Sequence, residues 1–374
     1  MFWGNRIAIV HDSFAQYGEA ERIAEEIAKL APEADILSAL CVDESLTQYL
    51  RSRSMKTTWM NHLPAKEQLS RELAVLFPLA IRSLDMSQYS VVISSCAGFA
   101  KGVQCREDAI HLCYCHTVRS AIWRYKESAR TRKRNPAIGL ALEPLRAALR
   151  QMDRTSAVQP DYYVAKSHRV AEQIKQCYGR NAYVVYPPIE TSRFHSSGTH
   201  DDYLLIISEL FPHKRIDMVI AACNSMGKRL LIAGDGPDKQ RLESLAGPSI
   251  KFLGRCNKSQ EADLLARSHA VFCPDAEADF DTMPLKANAA GRPAISFATG
   301  SAFETIANGE SGVLCWESSR PAIVDAIDQC CRSPWGSAGL KAYARSFDVS
   351  VFRARFTAVL KDLLGAESIT GAVA

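Results

Sequence analysis

Two adjacent basic residues, Lys214 and Arg215, stand between an apolar segment and a helical pattern. The apolar segment Leu204–Ile207 is typical of a strand, and apolar residues at helical spacing follow over 216–222. Basic side chains beside the amides that begin a helix form an arrangement that binds phosphate. The pattern therefore indicates an anion site in this loop.

A histidine, His116, follows the apolar segment 110–114 in the sequence Tyr114-Cys115-His116-Thr117. The end of a strand in an α/β protein is where ligand-facing side chains lie. His116 could therefore position a sugar or donate a hydrogen bond to it. A structural histidine bonded to a backbone carbonyl is the alternative, and the sequence leaves both open.

The segment 119–134 carries seven basic residues and one acidic residue, together with Trp123 and Tyr125. Such a cluster could attach to anionic lipid headgroups, at about 1 kcal/mol per basic residue near the surface. It could also hold an acceptor linked through a pyrophosphate, or form a solvated loop.

Glycines mark two further loops between strand and helix patterns. Gly18 precedes the first helical pattern, while Gly234 and Gly236 follow the strand-like segment 230–233. Glycine lets a ligand approach the backbone closely, but it is also the usual residue of a tight turn or a helix start.

Two aspartates, Asp279 and Asp281, have the D-x-D spacing that metal-dependent sugar transferases use to hold a divalent ion. Two acids at this spacing also arise often by chance, and no metal site is predicted here.

The elements that must position these residues alternate between short apolar runs and helical patterns. This alternation is typical of parallel strands covered by helices on both faces. The predicted strands are 7–10, 91–93, 110–114, 162–164, 184–186, 204–207, 230–233, 250–253, 270–273, 294–297 and 313–314. The predicted helices are 20–30, 216–222, 239–245, 260–267, 284–290 and 322–330.

These elements predict an α/β protein of two Rossmann-like, doubly wound domains. A first domain over 1–188 and a second over 201–350 are joined by a polar linker at 189–200, and a C-terminal helix over 351–374 packs back toward the first domain. Because ligands of doubly wound sheets bind beyond the carboxyl ends of the strands, a cleft between the domains is expected.

Composition limits the classes of protein that this chain can belong to. The 374 residues include 45 Lys plus Arg and 41 Asp plus Glu, so the net charge is +4 (45 − 41), and 47% are hydrophobic. These values exclude a disordered or collagenous chain and do not favour nucleic acid as a partner. No apolar run reaches the roughly 18 residues of a membrane span. The scattered cysteines favour a reducing compartment, so a cytoplasmic protein is expected, with attachment to the inner face of the plasma membrane left open.

Taken in chain order, the motifs resemble the retaining glycosyltransferases of family four, which have the GT-B fold. The likeness covers nearly the whole chain and is closest to the mannosyltransferase-like branch of bacterial exopolysaccharide and O-antigen assembly. The motifs are His11-Asp12, Gly18-Glu19-Ala20-Glu21-Arg22, Ile93-Ser94-Ser95, Tyr114-Cys115-His116-Thr117, Tyr186-Pro187-Pro188, Lys214-Arg215-Ile216-Asp217, Gly234-Asp235-Gly236-Pro237, Phe252-Leu253-Gly254-Arg255 and Ala289-Ala290-Gly291-Arg292-Pro293.

The resemblance implies transfer of a sugar from a GDP- or UDP-linked donor to a lipid-linked or saccharide acceptor, with retention and without a metal or other cofactor. The first domain would bind the acceptor and the second the donor. His116 and Lys214 would be the catalytic residues, and His11, Asp12, Arg119 and Trp123 would contact the acceptor. The implied donor-binding residues are Gly18, Glu19, Glu209, Lys214, Arg215, Gly234, Gly236, Asp279, Phe280, Asp281, Thr282, Met283 and Lys286.

Several positions depart from the pattern of this family. Glu209 replaces an arginine, while Ala278 and Lys286 replace the two glutamates spaced eight apart. Glu209 and Lys286 could pair with each other across the cleft. The departures raise an alternative hypothesis, a catalytically degenerate GT-B protein that acts by binding or as the partner of an active transferase. A sugar-nucleotide epimerase on the same fold has no motif in its favour.

Overall fold

A computed structural model describes residues 6–64, 76–118, 143–275 and 277–370. Contacts divide the chain into two compact units. The first unit contains residues 1–186 and 355–374, and the second contains 187–354. Each unit is built around one parallel sheet.

The sheet of the first unit has seven strands in the order β3-β2-β1-β4-β5-β6-β7, and every neighbouring pair is parallel. Its strands are β1 (Ile7–Phe14), β2 (Asp35–Cys41), β3 (Met55–Thr57), β4 (Val91–Cys96), β5 (Ile110–Cys115), β6 (Tyr162–Ala165) and β7 (Tyr183–Val184). The accompanying helices are α1 (Glu19–Leu30), α2 (Gln48–Arg51), α3 (Phe77–Arg82), α4 (Glu143–Ser156) and α5 (His168–Tyr178).

The sheet of the second unit has six parallel strands in the order β10-β9-β8-β11-β12-β13. Its strands are β8 (Leu204–Ile207), β9 (Leu230–Ala233), β10 (Ile250–Gly254), β11 (Ala270–Cys273), β12 (Ala294–Phe297) and β13 (Gly312–Cys315). Its helices are α6 (Ile216–Met226), α7 (Lys239–Leu245), α8 (Lys258–Arg267), α9 (Met283–Ala289), α10 (Ala302–Thr305), α11 (Arg320–Arg332) and α12 (Ser337–Arg345).

The last helix, α13 (Val349–Thr370), begins in the second unit and contributes its residues from 355 onward to the first. Phe356 is fully buried, and its ring lies 6.1 Å from that of Tyr114 on β5. The final helix is therefore part of the core of the first unit.

The sequence pattern accounts for the layers of each unit. β4 and β12 are buried along their whole length, and apart from the small residues Ser94, Ser95 and Ser296 they are apolar rather than alternating between apolar and polar side chains. Helix α1 buries Ile23, Ala24 and Ile27. Those residues recur at the spacing of one helix face, so burial of that face holds the helix against its sheet.

The segment 189–200 is packed rather than extended. Ile189 pairs with Asp348 in a parallel bridge and is 1% exposed, and Phe194 is 8% exposed. A short 3-10 helix, Thr191–Arg193, lies between these two residues. This stretch of chain therefore contributes side chains to the core of the second unit.

Among the described residues, no helix combines the length and the apolar character that crossing a bilayer requires.

Candidate functional site

The order of the strands locates the candidate site in each unit. Strand order reverses between β1 and β4 in the first sheet and between β8 and β11 in the second. In doubly wound sheets the crevice beyond the carboxyl ends of the strands at this reversal is where ligands bind. The loops that follow these strands therefore define the candidate site of each unit.

His116 lies at the carboxyl end of β5 and is 3% exposed. Its Nε2 is 2.7 Å from Ser95 Oγ, and the same hydroxyl is 3.1 Å from His11 Nδ1. Burial lowers the pKa of His116 well below its ordinary value, and His11 and Lys166 lower it further. His116 is therefore a neutral imidazole near pH 7, and it bonds a side-chain hydroxyl rather than a backbone carbonyl.

Asp12 has a structural role that the sequence did not indicate. Its two carboxylate oxygens accept four backbone N–H bonds of 2.6–2.8 Å from the loop after β4, at Ala97, Gly98, Phe99 and Ala100. These bonds use the roughly four lone-pair directions of a carboxylate. The assignment of Asp12 to acceptor binding finds no support in this geometry.

A buried ion pair also holds the loop after β4 in place. Lys101 Nζ donates to Gly98 O at 2.9 Å and to Asp153 Oδ1 at 2.6 Å, and Tyr178 donates to the other carboxylate oxygen of Asp153 at 2.7 Å. Because a buried charge is costly unless it is paired, this network fixes the loop beside His116 firmly.

The N-terminus of α1 already carries two carboxylates. Glu21 Oε2 accepts the N–H of Gly18 at 2.8 Å, and Glu19 pairs with Lys166 at 3.2 Å. Gly18 itself has an ordinary extended backbone with φ −117°. An anion at this helix end would therefore have to displace Glu21 from the amide. Lys166, which directly follows β6, was missed in the sequence, although its place at the end of a strand was the available signal.

In the second unit, Lys214 meets Asp275 at the reversal of strand order. Lys214 follows β8, Asp275 follows β11, and their side chains form an ion pair. Arg215, next to Lys214, is exposed, and its backbone φ is +56°. Among the described residues, it is the only one other than glycine with a positive φ. Side chains rarely adopt this conformation, and such residues concentrate at functional loops.

Lys286 pairs with Glu261 of α8, at 2.8 Å, and not with Glu209. Arg193 pairs with the second oxygen of the same Glu261 carboxylate. Glu209 is exposed. The hypothesis of a Glu209–Lys286 pair is therefore wrong, because a carboxylate on α8 lies closer to Lys286.

Asp281 lies in a cluster of charged groups. Its Oδ1 accepts the N–H of Met283 at 2.9 Å. The pKa of Asp281 is raised to about 6, mainly by burial and in part by Asp275, whereas the N–H of Met283 and the ammonium groups of Lys214 and Lys286 act in the opposite direction. Two ammonium groups and a second carboxyl group therefore act on the carboxyl of Asp281 at this end of the sheet.

The other predicted residues of the segment 279–283 differ in position. Phe280 is 4% exposed and its ring lies 6.3 Å from that of Phe347, so it belongs to the core. Asp279, Thr282 and Met283 are partly exposed. In the described parts of the chain, no group of three or more His, Cys, Asp or Glu side chains is placed to hold a metal ion.

Gly234 and Gly236 are required by packing within the second unit. A Cβ at Gly234 would lie 1.8 Å from Ser208 O, and one at Gly236 would lie 2.4 Å from Leu210 O. The close approach is therefore to the backbone of the loop after β8, which is a packing reason for glycine at both positions, and the assignment of Gly234 and Gly236 to donor binding stays a prediction.

Arg119, Trp123 and the rest of the basic segment 119–134 lie outside the described residues.

Comparison of the sequence with models of protein families gives a match within the second unit. Residues 189–347 match the family model described as "Glycosyl transferases group 1". No curated protein with a matching sequence was found.

Solved structures of similar fold cover nearly the whole chain. Anabaena Alr3699/HepE in complex with UDP and glucose has a TM-score of 0.68 at 15% identity and covers 96% of this chain and 100% of its own. Sucrose-phosphate synthase from Thermosynechococcus elongatus has a TM-score of 0.73 at 13% identity, with 96% and 100% covered. The lipopolysaccharide outer core galactosyltransferase WaaB, in its apo form, has a TM-score of 0.66 at 14% identity, with 96% and 99% covered.

At these identities the structural likeness shows the fold, and the matched domain supplies the class of enzyme. The two units have the GT-B fold, as predicted from the sequence. The group 1 domain within that fold makes the chain a glycosyltransferase.

Proposed function

We propose that this chain transfers a hexose, with mannose as the first choice, from a GDP- or UDP-linked donor to a lipid-linked or saccharide acceptor. Transfer proceeds with retention, without a metal, at the cytoplasmic face of the membrane during synthesis of a bacterial surface polysaccharide. The nucleotide-sugar donor is supported by solved structures of similar fold, which contain UDP and UDP-glucose. The finer points are supported by the motif resemblance.

The observation that carries the proposal is the position of Lys214. It lies in the group 1 domain, at the reversal of strand order where a ligand of this sheet would bind. An ammonium group there would stabilise the negative charge that develops on a departing nucleoside diphosphate. In the ligand-free chain this charge is balanced by Asp275, so the diphosphate has to take the place of that carboxylate.

A second candidate function, binding without turnover, is favoured by the same charges. Both lysines near the proposed diphosphate site are already paired with carboxylates, Lys214 with Asp275 and Lys286 with Glu261. Glu209 adds an exposed negative charge in the loop after β8. A domain arranged in this way could hold a partner transferase while binding no donor.

Calorimetric titration of the purified chain with GDP, UDP, GDP-mannose, UDP-glucose and UDP-N-acetylglucosamine tests the proposal. We expect micromolar binding of one nucleotide series and its loss in Lys214→Ala. The Asp275→Asn variant should bind the same nucleotide about threefold to fivefold more tightly. The partly exposed ion pair between Lys214 and Asp275 contributes roughly 1 kcal/mol, and in the variant no carboxylate competes with the diphosphate for Lys214.

Lys228→Ala is the matched control for this titration. Lys228 is also paired with an aspartate, Asp202, and its side chain is 18% exposed against 14% for Lys214. Lys228 precedes β9 and so lies at the amino ends of the strands, opposite the candidate site, where its loss should not affect nucleotide binding. Failure of every nucleotide to bind would reject the donor site and leave the partner function, which capture of a transferase from cells would then test.

A further inference from the structure

The hydroxyl of Ser95 lies between two buried histidines. Ser95 Oγ is 3.1 Å from His11 Nδ1 and 2.7 Å from His116 Nε2. His11 Nδ1 is also 2.9 Å from the backbone carbonyl oxygen of Ser95. His11, Ser95 and His116 are 1%, 0% and 3% exposed, so bulk water does not compete for these bonds.

The direction of each hydrogen bond follows from the carbonyl. A carbonyl oxygen only accepts, so His11 Nδ1 must carry a proton and donate to Ser95 O. The same N–H faces the lone pairs of Ser95 Oγ. Among the described residues the Ser95 hydroxyl has no other acceptor, so its single proton is donated to His116 Nε2, since the reverse direction would leave a buried hydroxyl proton unpaired.

This arrangement determines the tautomer of His116. A neutral imidazole whose Nε2 accepts carries its proton on Nδ1. Protonation of His11 at Nε2, where the carboxylate of Glu21 is 3.9 Å away, would not reverse the direction of these hydrogen bonds, because His11 Nδ1 remains the donor. The tautomer is therefore independent of the charge on His11.

The Nδ1 atom of His116 is buried and has no hydrogen-bond partner among the residues that the structure describes. Buried polar atoms are almost always paired, so an N–H donor left open beside a candidate site is one that a ligand can satisfy.

We infer that Ser95 and His11 are positioning residues that lock His116 in its Nδ1–H tautomer, so that this nitrogen donates a hydrogen bond to an oxygen atom of the bound ligand. The identity of that oxygen, a hydroxyl of the donor sugar, rests on the proposed function, whereas the lock itself does not. With Nε2 already accepting, His116 has no free lone pair for removing a proton. It therefore orients the sugar. The N–H at Nδ1 favours a ligand oxygen that accepts a hydrogen bond over a ligand ammonium group, which can only donate one.

Nuclear magnetic resonance of the ligand-free chain labelled with 15N-histidine tests the lock directly. The His116 signals are assigned by their loss in His116→Gln. We expect a protonated, pyrrole-type Nδ1 and an unprotonated, pyridine-type Nε2 in the wild-type chain. Ser95→Ala should allow the Nε2–H tautomer, and Ser95→Thr, which keeps the hydroxyl, should preserve the wild-type signals.

Ser94→Ala is the matched control. Ser94 is the adjacent residue of β4 and is equally buried, but its hydroxyl bonds His111 Nε2 at 2.9 Å instead. Its removal should leave the His116 signals unchanged. A wild-type His116 protonated on Nε2 would overturn the inference, even if the serine variants failed to fold. Unchanged His116 signals in a folded Ser95→Ala would also overturn it.

Ligand affinity provides the second measurement. In Ser95→Ala, the Kd of the nucleotide sugar should rise about threefold to tenfold, while that of the nucleoside diphosphate alone should change little, because only the sugar meets His116. Equal loss for both ligands would contradict the positioning role. If the wild-type chain shows the Nδ1–H tautomer but binds no nucleotide, the lock stands and the proposed function fails.

Discussion

The carboxyl of Asp281 titrates within the range in which the protein can be studied. Its pKa is raised to about 6, mainly by burial and in part by Asp275, although the N–H of Met283, Lys214 and Lys286 oppose the shift. The folded chain therefore binds this proton more tightly than the unfolded chain does. The resulting stability is fully present below the ordinary pKa of 3.8 and is lost as the pH rises through about 6.

Donor binding should follow the same titration. Between pH 5 and pH 7, ionisation of Asp281 adds a negative charge near the lysines that would meet the diphosphate. We expect the affinity for a nucleotide sugar to fall by about 1 kcal/mol, or roughly fivefold, over this interval. Calorimetry with a nucleotide sugar is the suitable measurement, because its diphosphate does not titrate in this range whereas that of a free nucleoside diphosphate does. Asp281→Asn should show a flat profile, and a slope equal to that of the wild type would assign the titration to another group.

The candidate residues could be predicted only where a local pattern marks them. His116 directly follows an apolar run and Lys214 lies in the loop after another, so the sequence placed both beyond the carboxyl ends of strands. Their partners are distant in the chain. Asp275 is 61 residues from Lys214, and Ser95 is 21 residues from His116. Only the order of the strands brings these groups together, and strand order cannot be derived from a single sequence by periodicity.

The loop after β9 contains a glycine where it touches the backbone of the loop after β8. Gly234 has φ +148°, and a Cβ there would lie 1.8 Å from the backbone oxygen of Ser208. Gly234→Ala should lower the free energy of unfolding by about 3 kcal/mol, from backbone strain and steric overlap together. Urea denaturation followed by circular dichroism measures this loss.

Gly227→Ala separates the two contributions. Gly227 ends α6 with φ +62°, and a Cβ there would have no heavy atom within 4 Å. Only backbone strain remains, so a loss of about 1 kcal/mol is expected. Equal losses at the two glycines would mean that the contact with the loop after β8 relaxes freely.

Burial explains only part of what the sequence predicted, because β10 was predicted although two of its residues are exposed, whereas the buried strand β2 was not predicted. Strands such as β11 and β12 are covered on both faces and appear as apolar runs, so their prediction is confirmed. Strand β3 has three residues, none of them buried, and no apolar run marks it. Strand β7 is Tyr183–Val184, so it begins one residue earlier and ends two residues earlier than the predicted 184–186. Beyond Val184 the pairing continues only as the single backbone bond from Val185 to Ala165.

At the scale of the whole molecule, α13 contributes to both units, and two phenylalanines on it report on them separately. Phe356 belongs to the first unit and is 0% exposed. Phe356→Ala should cost about 3–5 kcal/mol and should accelerate hydrogen exchange of the β5 amides, since the ring of Tyr114 loses its neighbour. Mass spectrometry of exchanged peptides measures the effect unit by unit.

Phe352→Ala is the control on the same helix. Phe352 is 2% exposed and belongs to the second unit. Its truncation should accelerate exchange in the second unit and leave β5 protected. Identical exchange patterns in the two variants would mean that the units open as one cooperative body.

The path of the chain through the two units also has a consequence for biosynthesis. The second unit is continuous over 187–354, whereas the first unit is interrupted and recovers its last helical segment only from residue 355 onward. Domains generally fold as units while the ribosome extends the chain. The second unit can therefore fold as soon as its own stretch of polypeptide has emerged. The sheet of the first unit, although translated earlier, must wait for Phe356, so its exposed apolar surface is what a nascent-chain chaperone would meet.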